Sequence, residues 1–254
     1  MTEEVIVERR GMVQLITINR PHARNAVTLA VSTAVAAAVD ELDESDDLRV
    51  GVLTGAGGTF SAGMDLKGFL AGETPSIEGR GMCGITETPP RKPLIAAVEG
   101  WALAGGFELL LACDLVVAAD GAKFGVPEVK RSLVAAGGAA LQLPRRVPLA
   151  IALELLLTGE PFTATRAAEV GLVNRVVADG QAVEAALELA ATIAENGPLA
   201  FAATKQVARA TMDWGFDEGW EKQNPIILPV FTFEDAREGA SAFAEKRKPQ
   251  WKGR

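Results

Sequence analysis

The chain has 254 residues, enough for one large domain or two small ones, with 33 acidic against 25 basic side chains and a formal charge of −8. That balance argues against nucleic acid as the main partner, because phosphate neutralisation needs clustered Lys and Arg. A single histidine, His22, and no tyrosine exclude HExxH and His-rich zinc sites and leave only one residue for a Ser-His-Asp triad, so acid–base chemistry falls to Asp, Glu, Lys or Cys.

No run approaches the roughly 20 apolar residues that span a bilayer, so no membrane partner is expected. The N-terminal MTEEVIVERR carries acids and no h-region, which reads as no signal peptide. Cys83 and Cys113 form no CxxC or disulfide framework, and a reducing cytoplasm fits them best.

In chain order, residues 5–9 and 12–19 alternate apolar and polar around Gly11, predicting a β-hairpin. The loop RPHARN follows, and Thr28 caps a long Ala/Val/Leu helix ending near Asp43. Residues 49–54 read as a strand flowing into GAGG and then FSAGMDL. Two motifs fail there. The third glycine of a GxGxxG loop would fall on Phe60, and the nucleophile elbow GxSxG centred on Ser61 has Thr59 where its first glycine belongs. Residues 67–92 carry Gly, Pro and mixed charge, and read as short helices and a mobile loop. Strands are expected at 94–98 and 115–119 around a helix at 105–113, with helices at 137–143, 149–157 and 163–170 and a strand at 172–177. Four helices follow, at 181–195, 199–212, 217–230 and 234–245. Alternating strands and helices followed by helices alone predict an α/β core with a helical C-terminal layer. The tail Lys246-Arg247-Lys248 is expected at the surface.

The chemistry concentrates in residues 97–128. Glu108 follows Gly105-Gly106 inside an otherwise apolar helix, and Glu128 follows FGVP. Burial raises a carboxyl's pKa and makes it a usable acid or base near neutrality. Two carboxyls facing one water titrate as a coupled pair, so one holds a proton while the other is ionised. Gly105-Gly106 at a strand-to-helix turn, and Met64 before Asp65, offer backbone N–H groups suited to a developing oxyanion. Alternatives at this level are an N-terminal acid favoured by its helix dipole, a surface-loop Glu128, and glycines that only permit close packing.

The stretches NRPHARNAVT, TGAGGTFSAGMDL, AVEGWALAGGFELLLACD, FGVPE, LTGEPFTATRAAEVGLVNRVV and EGASAFAEKRKPQW, in this order over essentially the whole chain, resemble the crotonase (enoyl-CoA hydratase/isomerase) superfamily. The resemblance implies a spiral of ββα units over 1–195, a helical trimerisation region over 196–254, and trimers or dimers of trimers. It implies an acyl-CoA thioester substrate, with coenzyme A part of that substrate and no further cofactor. By motif, the oxyanion donors fall on Met64 and Gly105, and the hydratase glutamates on Glu108 (activating water for C3) and Glu128 (delivering a proton to C2). CoA contacts fall on Arg24 and the backbone of Ala62, Asp65 and Leu66, with Phe243 and Lys246 reaching a neighbouring subunit's CoA. Trp101, Phe69 and Met82 are candidates for the acyl pocket.

The retained glutamate pair points to adding or removing water across C2–C3. Ala104 stands where the family has glycine, Phe107 replaces a small residue, and SLVAAGGAAL at 132–141 replaces the usual hydratase pattern. There Ala136 or Gly137 would have to hold the catalytic water. VKRSLV and LPRR match the branch resembling carnitinyl-CoA dehydratase. The alternatives to hydration are that dehydratase-like reaction, Δ3,Δ2-enoyl-CoA isomerisation, and a non-catalytic CoA-binding homologue.

Overall fold

A computed structural model describes residues 3–254; Met1 and Thr2, the start of the segment read as no signal peptide, lie outside the described residues. In chain order the elements are β1 (Val5–Arg10), β2 (Val13–Ile18), α1 (Leu29–Glu44), β3 (Val50–Gly55), α2 (Leu66–Leu70), β4 (Ser76–Ile77), β5 (Gly81–Met82), β6 (Leu94–Val98), β7 (Trp101–Leu103), α3 (Gly105–Ala112), β8 (Leu115–Ala119) and β9 (Lys123–Gly125). There follow α4 (Ala139–Arg146), α5 (Leu149–Thr158), β10 (Phe162–Thr163), α6 (Ala164–Glu169), β11 (Arg175–Val177), α7 (Ala182–Ala194), α8 (Pro198–Ala210), α9 (Phe216–Ile227) and α10 (Glu234–Ala244).

Six strands form one sheet in the order β1-β2-β3-β6-β8-β11, parallel apart from the β1–β2 hairpin. Because side chains alternate along a strand, each apolar strand feeds two cores. Val13, Leu15, Val50, Val52, Ile95, Ala97 and Val117 face α7, whose Ala186, Ala190 and Ala194 recur every four residues and let the helix lie close to the sheet. Ile16, Ile18, Leu53, Leu94, Ala96, Val98 and Val116 face the other way, against α1 and α3. Thr28 caps α1 by accepting from the Val31 amide at 3.2 Å, and Val31, Val35, Val39 and Leu42 make its buried stripe. A second sheet, β10-β9-β7, covers the far side of α3, where Phe107 packs edge-on against Phe162 with ring centroids 5.7 Å apart.

The main helices and the strands β1, β2, β3, β6 and β8 lie close to the sequence expectation. Several short elements do not. Region 67–92 holds one short helix and the β4–β5 hairpin. The hairpin is anchored to α1 by Arg80, whose two Nη atoms bond Asp40 at 2.9 and 2.8 Å, and by Ser32 Oγ, which accepts from the Cys83 amide at 2.6 Å. The helix expected at 137–143 is shifted, running from Ala139 through Pro144 to Arg146. The strand expected at 172–177 is confined to its second half.

The expected division between 195 and 196 falls in the turn between α7, which lies on the sheet, and α8, which does not. Neither α8 nor α9 contributes a buried side chain. This layer meets the core across a cleft of about 1790 Å³ lined by residues such as Arg91, Lys205, Met212 and Phe233. Ionic contacts bridge it, with Lys205 Nζ and Arg209 Nε reaching Asp114 at 2.6 and 2.8 Å.

Candidate active site

The site is assembled on the N-terminal end of α3, all eight residues of which are buried. Asn25 builds its floor. Fully buried, it takes the left-handed conformation (φ 55°), accepts from the Arg20 amide at 2.9 Å and donates to Ala56 O at 2.8 Å and Thr59 O at 2.6 Å. That fastens the RPHARN loop to the GAGG turn. Ser61 is equally buried. Its hydroxyl donates to Asn25 O at 2.8 Å and accepts from the Gly63 amide at 3.1 Å, so it is committed to structure and is no nucleophile.

From Ala62 to Asp65 the amides are spent one after another, with an exception. Ala62 N–H goes to Arg24 O at 3.0 Å, Gly63 N–H to Ser61 Oγ, and Asp65 N–H to Val27 O at 2.9 Å. Met64 N–H bonds no backbone carbonyl among the described residues, and neither does Gly105 N–H, the first amide of α3. The two segments touch. Gly63 sits at φ +89°, and a methyl placed on it would lie 2.7 Å from the Gly105 nitrogen. Ala104, the N-cap of α3, is held at φ 51°, ψ −128°, a conformation natural to glycine, and its amide donates to Gly125 O at 2.9 Å. The chain thus brings two unspent amides together, one carrying the positive end of a helix dipole.

Glu108 lies in the first turn of that helix, 5% exposed. Burial pushes its pKa above the ordinary carboxylate value; the amides of Ala139, Gly137 and Gly138 pull it back, and the Glu128 charge raises it again. The Ala139 amide donates to Oε1 at 3.1 Å. Gly137 must be glycine for the same reason, since a methyl there would collide with Glu108 Oε2. Glu128 sits on the 3-10 turn Pro127–Arg131, and its pKa too is raised, first by burial. Its Oε2 is buried with no partner among the described residues. The sequence-predicted pair therefore shares one electrostatic environment and is unequally provisioned: Glu108 has donors that favour its anion, and Glu128 Oε2 has none.

The family model for enoyl-CoA hydratase/isomerase matches residues 8–254. Enoyl-CoA hydratase EchA19 of Mycobacterium tuberculosis is 44% identical over 99% of this chain and 97% of its own length. Carnitinyl-CoA dehydratase of Salmonella typhi is 42% identical over the whole of both chains. A crystal structure of an enoyl-CoA hydratase from M. tuberculosis H37Rv is 56% identical and superposes with a TM-score of 0.98 over the whole of both chains. The chain belongs to the enoyl-CoA hydratase/isomerase family.

In this family member the remaining predicted contacts are scattered. Arg24 is exposed beside the site loop, while Asp65 turns its carboxylate inward: Oδ1 caps α2 at Lys67 and Gly68, and Oδ2 takes Arg20 Nη1 at 2.9 Å. That bond from Arg20, with the α2 amides, holds the Asp65 pKa below its usual value. Leu66 is 64% exposed at the mouth of α2. Phe243, 86% exposed, and Lys246 lie at the end of α10, which packs chiefly on the turn at 228–232 and not on the elements carrying the glutamates. Of the acyl-pocket candidates, Met82 reaches the site. Its Cε and Sδ lie 2.7 and 3.1 Å from where a Gly105 methyl would be. Trp101 and Phe69 are largely exposed. Sequence reasoning gave Asn25 no role, and it did not anticipate that the Ala139 amide, two residues past Gly137, would bond Glu108. The signal for the second was in plain sight, two glycines ahead of a helix.

Proposed function

We propose that this protein is an enoyl-CoA hydratase, adding water reversibly and syn across the C2–C3 double bond of a 2-enoyl-CoA. The observation that carries the reading is the Glu108–Glu128 pair, one carboxyl buried and the other half-buried with its Oε2 enclosed, of unlike hydrogen-bond supply beside the unspent amides of Met64 and Gly105. Family membership and full-length relatives named enoyl-CoA hydratase support it.

Glu108, whose anion the Ala139 amide supports, takes a proton from water as the water oxygen bonds to C3. The electron pair moves through C2 onto the thioester oxygen, where Met64 and Gly105 N–H stabilise the enolate. Each such donor is worth roughly 3 kcal/mol of barrier. Glu128, whose bare oxygen favours the protonated form, gives its proton to C2 as the enolate collapses. Exchange with solvent then returns one proton from Glu108 and one to Glu128. Arg24 and the loop 62–66 hold the CoA moiety, joined by Phe243 and Lys246 of a neighbouring copy in a trimer or dimer of trimers. The protein works in the cytoplasm with no cofactor beyond the CoA of its substrate.

The test is loss of the enoyl-thioester absorbance with crotonyl-CoA and a longer 2-enoyl-CoA. Rapid loss in wild type that Glu108→Ala and Glu128→Ala each abolish is expected. Hydration undiminished in Glu128→Gln would sink the mechanism. A second reading, dehydration of carnitinyl-CoA or a similar polar acyl-CoA, draws on the 42% identity to carnitinyl-CoA dehydratase along the whole chain. It is favoured if the dehydrated product of carnitinyl-CoA outcompetes crotonyl-CoA in kcat/KM.

A further inference from the structure

We propose that Arg146 is a positioning residue for Glu108, acting along α4, which splints the two ends of the catalytic helix. α3 and α4 are each eight residues long, or about 12 Å at 1.5 Å per residue, and they pack side by side. At one end of α4 the Ala139 amide holds Glu108 Oε1 at 3.1 Å. At the other, Arg146 closes over the C-terminus of α3: Nη1 donates to Leu111 O at 3.2 Å and Cys113 O at 3.1 Å, and Nη2 to Asp114 O at 3.0 Å.

A guanidinium suits this task because its planar fork serves several carbonyls at once, whereas an ammonium is a single point donor. Pro144 removes one bond from the short ladder of α4, so the position of its last turn depends more on what Arg146 grips. α4 also packs on α5 and carries the Arg145–Asp213 ion pair, but Arg146 is its polar tie to the far end of α3. Freeing α4 at Arg146 lets it slide along α3, and that displaces the amide that holds the carboxylate.

The charged groups around each end are few. Glu128, on the turn after β9, faces Glu108. Arg209 from α8 and Asp114 from the α3–β8 connection face Arg146, with the uncharged thiol of Cys113 between them and the Arg145–Asp213 pair beside it. Arg209 also donates to Ala112 O at 3.0 Å, so the end of α3 keeps one clamp when Arg146 is changed, and the fold has reason to survive.

The proposal rests on the hydratase reading for its kinetic arm alone. Glu108 is titrated by 13C NMR in protein labelled at the glutamate side-chain carboxyl, with the resonance assigned by Glu108→Gln. Losing part of the amide bond raises the pKa, because that bond favours the charged form. Arg146→Lys is expected to move the Glu108 titration upward by about one pH unit, the worth of a weak hydrogen bond to a charged group. The acidic limb of kcat/KM moves the same way, and kcat falls about tenfold.

Gly137→Ala, which pushes directly on Glu108, is expected to give a similar shift, with little added in the double variant because both act on one contact. A folded Arg146→Lys whose Glu108 titrates as in wild type would overturn the proposal. Fully additive shifts would do so as well. Where Arg146→Met does not fold, Arg146→Lys decides. A wild type that turns over no enoyl-CoA removes the hydratase reading and leaves the NMR titration to judge Arg146.

Discussion

The helix that carries Glu108 and the C-terminal layer treat apolar and polar groups in opposite ways. In α3 every side chain is buried, and the last carbonyls, from Leu111 to Asp114, are taken by Arg146 and Arg209. In α8 and α9 no side chain is buried, while Phe216 is 85% exposed, Trp220 66% and, just beyond α9, Phe231 73%. The first region is finished by its own chain. The second displays large aromatic surface and is tied to the core through polar contacts, among them Lys205 and Arg209 on Asp114, Lys205 on Lys92 O and Arg145 on Asp213. Large apolar side chains left this exposed suit an interaction face, and a neighbouring copy in the proposed trimer would cover them. The glutamates and the unspent amides can therefore be set within one core, while the C-terminal layer leaves its aromatic face open.

Changes made at α3 should remove rate while leaving the fold standing. Glu108→Ala and Glu128→Ala are each expected to cost about 10²–10⁴ in kcat for hydration, with the double variant falling far short of the product because the pair acts as a unit. Unchanged thermal unfolding would accompany this; a collapse of stability in either variant would break the contrast. Gly63→Ala tests the amides without touching a carboxyl. Its methyl forces a strained φ and pushes on Gly105 N, and a loss of roughly 10²–10³ in kcat is expected from stopped-flow traces, with KM little changed.

Changes at the junction should do the reverse. Asp114→Asn leaves Lys205 and Arg209 facing each other without their anion. Urea denaturation is expected to show about 2–3 kcal/mol of destabilisation, less than for a fully buried pair because Asp114 keeps some solvent. Sedimentation should show weaker assembly in step.

Smaller effects sharpen the picture. Burial raises the pKa of Glu128, so the native state holds a proton that the unfolded chain would release, and native stability is lost as pH rises from the ordinary carboxylate value through the raised one. Glu128→Gln removes that dependence. It should be more stable than wild type by up to about 1 kcal/mol at pH 8, with no gain at pH 4, while inactive in hydration. Least of all, Ala104→Gly relieves the strained N-cap at a cost in backbone entropy, for a net gain of about 0.5 kcal/mol by calorimetry and unaltered turnover.

What could be read in advance follows from range. The long apolar strands and the Thr28 cap are local patterns, and the carboxylates stand out because each interrupts greasy sequence. β7, β9 and β10 are two or three residues long, too short to show a period, and exist only because they pair with one another. Pro144 argues for an earlier end to α4 than the structure has, since the helix runs through it to Arg146 and closes with Val147 N–H on Leu143 O. Arg146 carries no local signal at all: its acceptors lie 32–35 residues away. The amides of 137–139 were legible as a glycine pair, but their target was set by how α4 packs on α3. The match of residues 8–254 to the family covers what these local patterns could not reach.

The two cysteines acquire a meaning from the chemistry nearby. Cys83 and Cys113 are free and fully buried, and burial pushes each thiol up to about 12. At neutral pH each is held as the thiol, and the thiolate is the form that reacts. A 2-enoyl thioester is a soft Michael acceptor whose C3 welcomes sulfur as readily as water. A hydratase bathed in such a substrate is protected from alkylating itself, since its only two sulfhydryls are both out of reach and out of charge.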